Sequence, residues 1–313
     1  MLAQTKPLRS PVFLLLGAGA ALFALLPWAI TGMRLPLQQL WAVDTLPDQM
    51  PIALLPFHQY YALTIAALIV IGSTFGGIIG RVVAARHPRP AVFALMGGVL
   101  IVQVGATVQT AVVLSSGVDE RGASTLYVVA LVGGTIAAIL LGLGMLALIA
   151  RAPKPGALLA LAIAAVAFGT WIGALLFPIG SVKMDSSLVP VFSGVARYSP
   201  AIIIGVAIAW CGIQTTGRVV AAIASLAVLW VGPTIVTAFN AAAGTRVLSP
   251  YPAEMLDYGI GVFRMAIGMP ELWLPPIALA VGIAVIGLVG RRSVAKRRRV
   301  AEHGVAAESV AVG

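Results

Sequence analysis

The feature that most constrains this chain is a series of long apolar stretches joined by short polar connections. A helix that spans a bilayer needs about 20 mostly apolar residues. Eight stretches meet this requirement, at roughly 11–33, 58–80, 91–115, 124–150, 156–180, 199–217, 219–240 and 272–290. The sequence therefore predicts an all-α, polytopic membrane protein with about eight transmembrane helices, which makes the lipid bilayer its first partner.

Composition and proline positions refine this prediction. Hydrophobic residues make up 60% of the chain and charged residues only 10%, whereas soluble domains carry about 25% charged residues. The first stretch follows Lys6 and Arg9 as in a signal peptide, but it is long and lacks a small-x-small cleavage pattern, so we expect an uncleaved span. Pro200 is expected to open the sixth span and Pro233 to kink the seventh.

The basic residues predict the orientation. Loops on the cytoplasmic side of membrane proteins are enriched in Lys and Arg. With a cytoplasmic N-terminus (1–10), fourteen of the twenty basic residues and two of the ten acidic residues fall inside, giving +12 inside and −2 outside. The sequence therefore predicts a multi-pass protein of the cell (plasma or inner) membrane with both termini cytoplasmic. The outer acids are Asp44, Asp48, Asp119, Glu120, Asp185, Glu254, Asp257 and Glu271.

A basic cluster directly follows the last span. Its members are Arg291, Arg292, Lys296, Arg297, Arg298 and Arg299. Such clusters anchor the chain against anionic lipid headgroups at the cytoplasmic face. The alternative is a nucleic-acid or regulatory site, which the juxtamembrane position disfavours, so no nucleic-acid partner is predicted. We expect residues 291–313 to form a basic, disordered cytoplasmic tail.

Two internal similarities suggest that the chain is a duplication. The segment 80–85 (Gly-Arg-Val-Val-Ala-Ala) recurs at 217–222, and the segment that begins at Thr107 resembles the one that begins at Thr234. The hypothesis is a parallel 4+4 repeat with halves 11–150 and 151–290, related by an axis along the membrane normal. The alternative is coincidence in a chain rich in alanine and valine.

Small residues recur every four positions on several spans. Such stripes let helix backbones approach closely, so we expect helix packing at these positions, with a sliding or gating contact as the alternative. The residues are Gly72, Gly76 and Gly80 on the second span, Gly169 and Gly173 on the fifth, and Ala130, Gly134, Ala138 and Gly142 on the fourth.

Polar residues also form stripes on two spans that the repeat would make equivalent. They are Gln103, Thr107 and Thr110 on the third span and Thr234, Thr237 and Asn240 on the seventh. One hypothesis is a ligand-binding cavity between the halves, open to the outside and lined by all six. The alternative is hydrogen bonding between helices inside a packed bundle, a common use of Thr, Gln and Asn in membranes.

The outer face offers weaker signals. A surface helix is expected near 253–268, because polar and apolar residues occupy opposite faces there. Asp44, Asp48 and Glu254 are the carboxylates that an outer-leaflet transferase acting on lipid-linked substrates would use. His58, at the outer start of the second span, is either a general base or an interfacial histidine without chemistry.

The remaining sequence features disfavour the catalytic chemistry that is typical of soluble enzymes. There is one cysteine, Cys211, and three scattered histidines, and the sequence contains no phosphate-binding loop, no nucleophile elbow and no zinc motif. No cofactor, metal or catalytic residue is predicted, and an enzyme is disfavoured. The first function hypothesis is a transport-like protein, a facilitator or permease for a neutral or lipid-like solute. The second is a non-catalytic subunit or scaffold of cell-envelope machinery with a membrane-protein partner, and the third is the transferase.

The predicted orientation has a direct test. A phosphatase reporter that is active only outside the cytoplasm is expected to be inactive when fused after Arg89 and active when fused after Asp48, because the charge bias keeps the arginine-rich connection inside. Reporter activity in whole cells is the measurement. An active fusion after Arg89 would contradict the topology.

Overall fold

A computed structural model describes residues 10–37, 41–84, 90–117, 122–179, 187–245 and 251–311, with side chains except at 84, 122–126 and 294–311. Over these residues the chain is all-α, and seven helices are long and apolar enough to cross a membrane. The helices are α1 Ser10–Ala24, α2 Leu26–Ala29, α3 Ala62–Ala84, α4 Pro90–Gly117, α5 Gly122–Arg151, α6 Lys154–Leu176, α7 Val189–Cys211, α8 Thr216–Gly244, α9 Pro252–Ile267 and α10 Pro270–Ala311.

In the structure, the helical segment at the first predicted span is shorter than the helices at the other seven. It divides into α1 and α2, because Pro27 has no N–H to donate and the helical hydrogen-bond ladder breaks there. The two pieces cover residues 10–29, which at 1.5 Å per residue reach about 30 Å, close to the thickness of a bilayer's hydrocarbon core. The structure thus has seven continuous spanning helices and one interrupted apolar segment, where about eight spans were predicted.

One predicted helix start is wrong, and the last helix extends further than its predicted span. The sixth span is α7, Val189–Cys211, and Pro200 lies inside this helix instead of opening it. Arg197 therefore lies more than two turns inside a helix that crosses the membrane. At the C-terminus α10 continues to Ala311, where we expected a disordered tail, because residues 291–311 are rich in the helix formers Ala, Arg and Glu.

The helices pack as two groups of four with the same pattern of neighbours. In the first half α1 packs on α3 and α4, α3 packs on α4 and α5, and α4 packs on α5. In the second half α6 packs on α7 and α8, α7 packs on α8 and α10, and α8 packs on α10. The halves meet where α6 contacts α2, α3 and α5.

The two sequence similarities have different structural outcomes. Gly80 lies in the last turn of α3, whereas Gly217 lies in the first turn of α8, so these segments occupy non-equivalent helices. By contrast, α4 ends at Gly117 and α8 ends at Gly244, ten residues after Thr107 and Thr234. This second similarity joins helices that hold equivalent places in the two packing patterns.

The two ends of the bundle differ in character. The loop end carries the connection 30–58 and the amphipathic helix α9, whose bounds Pro252–Ile267 closely match the predicted surface helix. The basic end is the opposite one, where Arg81, Lys154, Arg218 and Arg291 lie. Under the predicted orientation the loop end faces outward and the basic end faces the cytoplasm.

A plug formed by residues 33–37 and 41–57 closes the loop end of the first half. Leu35, Leu37, Met50, Leu55 and Phe57 are each at most 2% exposed. The plug begins after Gly32, whose positive φ of 83° reverses the chain after α2.

Polar groups on both sides fix the plug. The Trp28 indole donates to the Ala53 carbonyl at 2.8 Å. The Gln109 amide accepts from the Leu54 N–H and donates to the Ile52 carbonyl, both at 2.9 Å, and the Thr110 hydroxyl accepts from the Leu55 N–H at 3.0 Å. A buried extended segment needs such partners, since its backbone groups have no helix of their own to join.

Glycines at helix crossings set the closest backbone approaches. A Cβ added at Gly98 would lie 2.0 Å from the Leu14 carbonyl oxygen, and one at Gly17 would lie 2.1 Å from the Leu95 carbonyl oxygen. The α1–α4 contact thus depends on a reciprocal glycine pair, which the predicted stripes did not include.

The predicted glycines have looser surroundings. A Cβ at Gly72, Gly76, Gly80 or Gly169 would meet a neighbour at 2.9–3.1 Å, and one at Gly173 only at 3.8 Å. Gly134 has nothing within 4 Å, whereas a Cβ at Gly142 would lie 2.6 Å from the Ser73 hydroxyl.

Gly98→Ala is expected to destabilise the protein by about 1–3 kcal/mol, because the added methyl must push α1 away from α4. Gly97→Ala is the matched control, since a Cβ at Gly97 has nothing within 4 Å. Thermal unfolding of the two variants in the same mild detergent is the measurement. Equal melting temperatures would contradict the close packing of α1 on α4.

Candidate functional site

A cavity of about 440 Å³ opens at the loop end of the second half. Three of the six residues predicted to line a cavity do so here, namely Thr234, Thr237 and Asn240 on α8. Helices α6, α7, α9 and α10 complete the wall, with Arg197 and Trp273 as the polar members from α7 and α10. A volume of this size falls within the range of small-molecule sites, about 300–1,000 Å³.

Arg197 belongs to the site because of two prolines on the neighbouring helix. Its Nη2 donates to the carbonyl oxygens of Glu271 and Leu272 at 2.5 and 3.2 Å. In a regular helix these oxygens would accept from the residues four positions on, which here are Pro275 and Pro276 and have no N–H. The guanidinium thus supplies the hydrogen bonds that α10 cannot make itself.

This arrangement fixes a positive charge at the cavity wall. An ionisable residue within a spanning helix is costly unless its polar groups find partners, and such residues commonly mark functional sites. The Arg197 guanidinium also lies 5.5 Å from the Tyr198 ring centroid. Sequence reasoning missed Arg197, because a sixth span that began at 199 placed this residue in a loop. The Pro275-Pro276 pair was the available signal, since it leaves two carbonyls without donors.

Two tryptophans form an aromatic side of the cavity. Their ring centroids, those of Trp230 and Trp273, lie 5.4 Å apart. The Trp273 indole N–H is buried and donates to no residue in the described part of the chain. Buried donors are rarely left unpaired, so this N–H marks a place where a ligand oxygen would gain a hydrogen bond.

A second cavity of about 570 Å³ lies between the halves. Its walls come from α3 and α5 of the first half and from α6 and α8 of the second, and Thr170 is the only hydroxyl among its lining residues. Both cavities are lined by Val166, Thr170 and Val236. The polar cavity at the loop end therefore adjoins an apolar groove between the halves.

The three predicted residues on α4 lie elsewhere. Gln103, Thr107 and Thr110 are at most 6% exposed, and none of them lines the loop-end cavity. Gln103 donates to the Ile69 carbonyl at 2.8 Å and to the Ser73 hydroxyl at 3.2 Å, which links α4 to α3. The six residues therefore do not share one cavity.

The predicted carboxylates are dispersed. Asp44, Asp48 and Glu254 are exposed and do not line either cavity, while Asp119, Glu120 and Asp185 lie outside the described residues. His58 caps the short turn Gln59–Tyr61, since its Nδ1 accepts from the Tyr60 N–H at 3.1 Å. In the described part of the chain no group of three His, Cys, Asp or Glu residues is arranged to hold a metal ion.

The predicted membrane-surface anchor is only partly described. Arg291 turns back onto the end of α7, where its Nη1 donates to the carbonyls of Ala209 and Trp210, while Arg292 is exposed. The side chains of Lys296, Arg297, Arg298 and Arg299 lie outside the described part of α10.

No known protein family matches this chain, and no curated protein sequence or solved structure is significantly similar to it. The functional argument therefore depends on the geometry of the two adjoining cavities.

The role of Arg197 can be isolated with a double-mutant cycle. Arg197→Ala is expected to destabilise the protein by about 1–3 kcal/mol, because it leaves two carbonyls in the first turn of α10 without donors. In a Pro275→Ala/Pro276→Ala background the same substitution should cost less, since the restored N–H groups bond those carbonyls. Thermal unfolding in mild detergent measures both effects. Equal losses in the two backgrounds would rule out the proline-linked role.

Proposed function

We propose that this protein binds an amphiphilic, lipid-like solute and passes it between the bilayer and the outer surface, as a facilitator in the cell membrane. The polar part of the solute would occupy the loop-end cavity, near Arg197, Thr237 and Asn240. Its hydrocarbon part would lie in the groove between the halves. The observation that carries this proposal is the contact between a polar and an apolar cavity at Val166, Thr170 and Val236.

The chemistry of the walls supports an amphiphile over a wholly polar solute. The groove between the halves presents almost only Ala, Val, Leu and Ile side chains, which gain free energy from contact with hydrocarbon but offer nothing to a sugar or an ion. The loop-end cavity offers a cation, an amide, hydroxyls and an unpaired indole N–H. These groups suit a headgroup that carries negative charge or hydrogen-bond acceptors.

Comparison of the halves also supports a ligand at this place. On α4, Thr110 binds the plug through its backbone. On α8, Thr237 stands at the equivalent distance from the helix end and lines the cavity. We infer that the halves derive from a parallel duplication, with one copy filled by its own chain and the other left to receive a solute.

The coupling mechanism follows from the charges. Apart from Glu271 in the first turn of α10, the described spanning segments contain no acidic residue. Buried carboxylates are the usual proton carriers in driven transport. Movement down the solute's own gradient is therefore the mode that we propose. The scaffold hypothesis remains the second candidate, supported by the exposed apolar residues of α9 such as Leu256 and Met265, at 64% and 58% exposed.

Thr170→Trp tests the proposal, because a tryptophan at the junction would separate the two cavities. We expect the variant to lose most of its co-purifying amphiphile and its ability to speed movement of a fluorescent phospholipid between the leaflets of phosphatidylcholine vesicles. Ile223→Trp is the control, since Ile223 is 64% exposed and lines neither cavity.

Mass spectrometry of protein in mild detergent and a leaflet-selective quenching assay give the two readouts. Equal lipid retention in both variants would contradict the binding site. Retention without any effect of the wild-type protein on leaflet exchange would favour the scaffold.

A further inference from the structure

Four basic side chains gather around the end of α7 at the basic end. The guanidinium carbon of Arg81 lies 4.8 Å from the Trp210 ring centroid, and Lys154 Nζ lies 5.6 Å from the same centroid. Arg291 donates to the Trp210 carbonyl at 2.8 Å. Arg218 lies just beyond the end of α7, where its Nη1 donates to the side-chain oxygen of Gln214 at 2.6 Å in the short connection between α7 and α8. We propose that these residues form a phosphate-binding site that both halves share.

Two of the cations are held rigidly and keep donors to spare. Arg81 uses Nη1 to bond the carbonyls of Ile149 and Ala152, at 2.6 and 3.1 Å. Arg291 likewise uses Nη1 for the carbonyls at the end of α7. Among the described residues, nothing accepts from Nη2 of either guanidinium. An oriented guanidinium with free N–H groups is the geometry that binds phosphate oxygens in pairs.

The other two cations lie at the N-termini of helices, where the helix dipole repels a positive charge. Lys154 is the first residue of α6, and Arg218 lies in the first turn of α8. A helix N-terminus carries roughly half a positive charge, so a basic side chain there is unfavourable. The carbonyls at the ends of α5 and α7 partly compensate Arg81 and Arg291, whereas the helix dipoles leave Lys154 and Arg218 uncompensated.

The chain offers no described carboxylate to neutralise these charges. The acidic residues with described side chains are Asp44, Asp48, Glu254, Asp257 and Glu271, and all of them belong to the loop end. Four neighbouring cations without an anion repel one another, and a bound anion would remove that cost. Trp210 lies in the last turn of α7, at the end of a spanning helix. This is the depth at which the phosphate groups of lipids lie.

The site therefore fits the phosphate of an anionic phospholipid of the cytoplasmic leaflet, or a free phosphate of the same chemistry. It is separate from the loop-end cavity and does not depend on the proposed function. Because Arg81 comes from the first half and the other three cations from the second, a bound phosphate would join the halves at the basic end.

Lys154→Gln and Arg218→Gln are the informative variants. Neither side chain bonds a backbone carbonyl in the described structure, so both variants should fold, and each removes an unfavourable charge from a helix N-terminus. We expect unchanged or higher thermal stability without ligand and about tenfold weaker binding of phosphatidylglycerol. Arg151→Gln is the matched control, since Arg151 lies at the same end of the bundle but outside the cluster, with its guanidinium carbon 4.5 Å from the Phe93 ring centroid.

The full-length protein in detergent would be titrated with phosphatidylglycerol, with phosphatidylcholine and with millimolar inorganic phosphate, using native mass spectrometry and thermal unfolding. Selective binding of phosphatidylglycerol that weakens in the two variants but not in Arg151→Gln supports a lipid headgroup at this site. Stabilisation by inorganic phosphate with the same variant pattern supports a free phosphate there. Equal losses in all three variants, or no response to either ligand, would overturn the proposal.

Discussion

The need of every backbone polar group for a partner inside the membrane governs this structure. Prolines within or beside the helices release carbonyls, and arginines from neighbouring helices bond them. Arg197 serves the two carbonyls that Pro275 and Pro276 leave free. Arg81 serves the Ile149 carbonyl, whose usual donor four residues on is Pro153. Since unpaired carbonyls in hydrocarbon each cost several kcal/mol, these contacts fix α7 against α10 and α3 against α5.

The two halves share one packing pattern but use its loop end differently. In the first half the plug fills the space and its backbone bonds Gln109 and Thr110. In the second half the helix α9, which connects α8 to α10, packs on α8, and a cavity lies beside Thr234 and Thr237. The asymmetry of the molecule thus arises from the segments that connect the spanning helices, while the helices themselves pack alike.

Much of the fold followed from hydrophobic length alone. Seven spans and the surface helix α9 appeared where apolar runs and opposite polar faces predicted them. The polar stripe on α8 lines a cavity of the second half, whereas the stripe on α4 does not, and the single cavity between the halves stays a prediction. Helix α4 instead bonds the plug, through contacts between residues 55 positions apart in the sequence. A local sequence pattern does not encode such a contact.

Arg197 and the reciprocal pair Gly17 and Gly98 were missed for related reasons. Among the spans that the structure describes, α7 is the least apolar, so Pro200 looked like a helix start. Gly17 and Gly98 are isolated in sequence, and only the crossing of α1 and α4 gives them a shared role.

The way in which the plug is held has a consequence for how this sequence can change over time. Gln109 and Thr110 bind the plug through the N–H and carbonyl groups of residues 52–55, which every residue except proline provides in full. Selection should therefore preserve the side chains of Gln109 and Thr110 and tolerate exchange at Ile52 and Leu54. In related sequences, a proline at position 54 or 55 should occur only together with a change at Gln109 or Thr110.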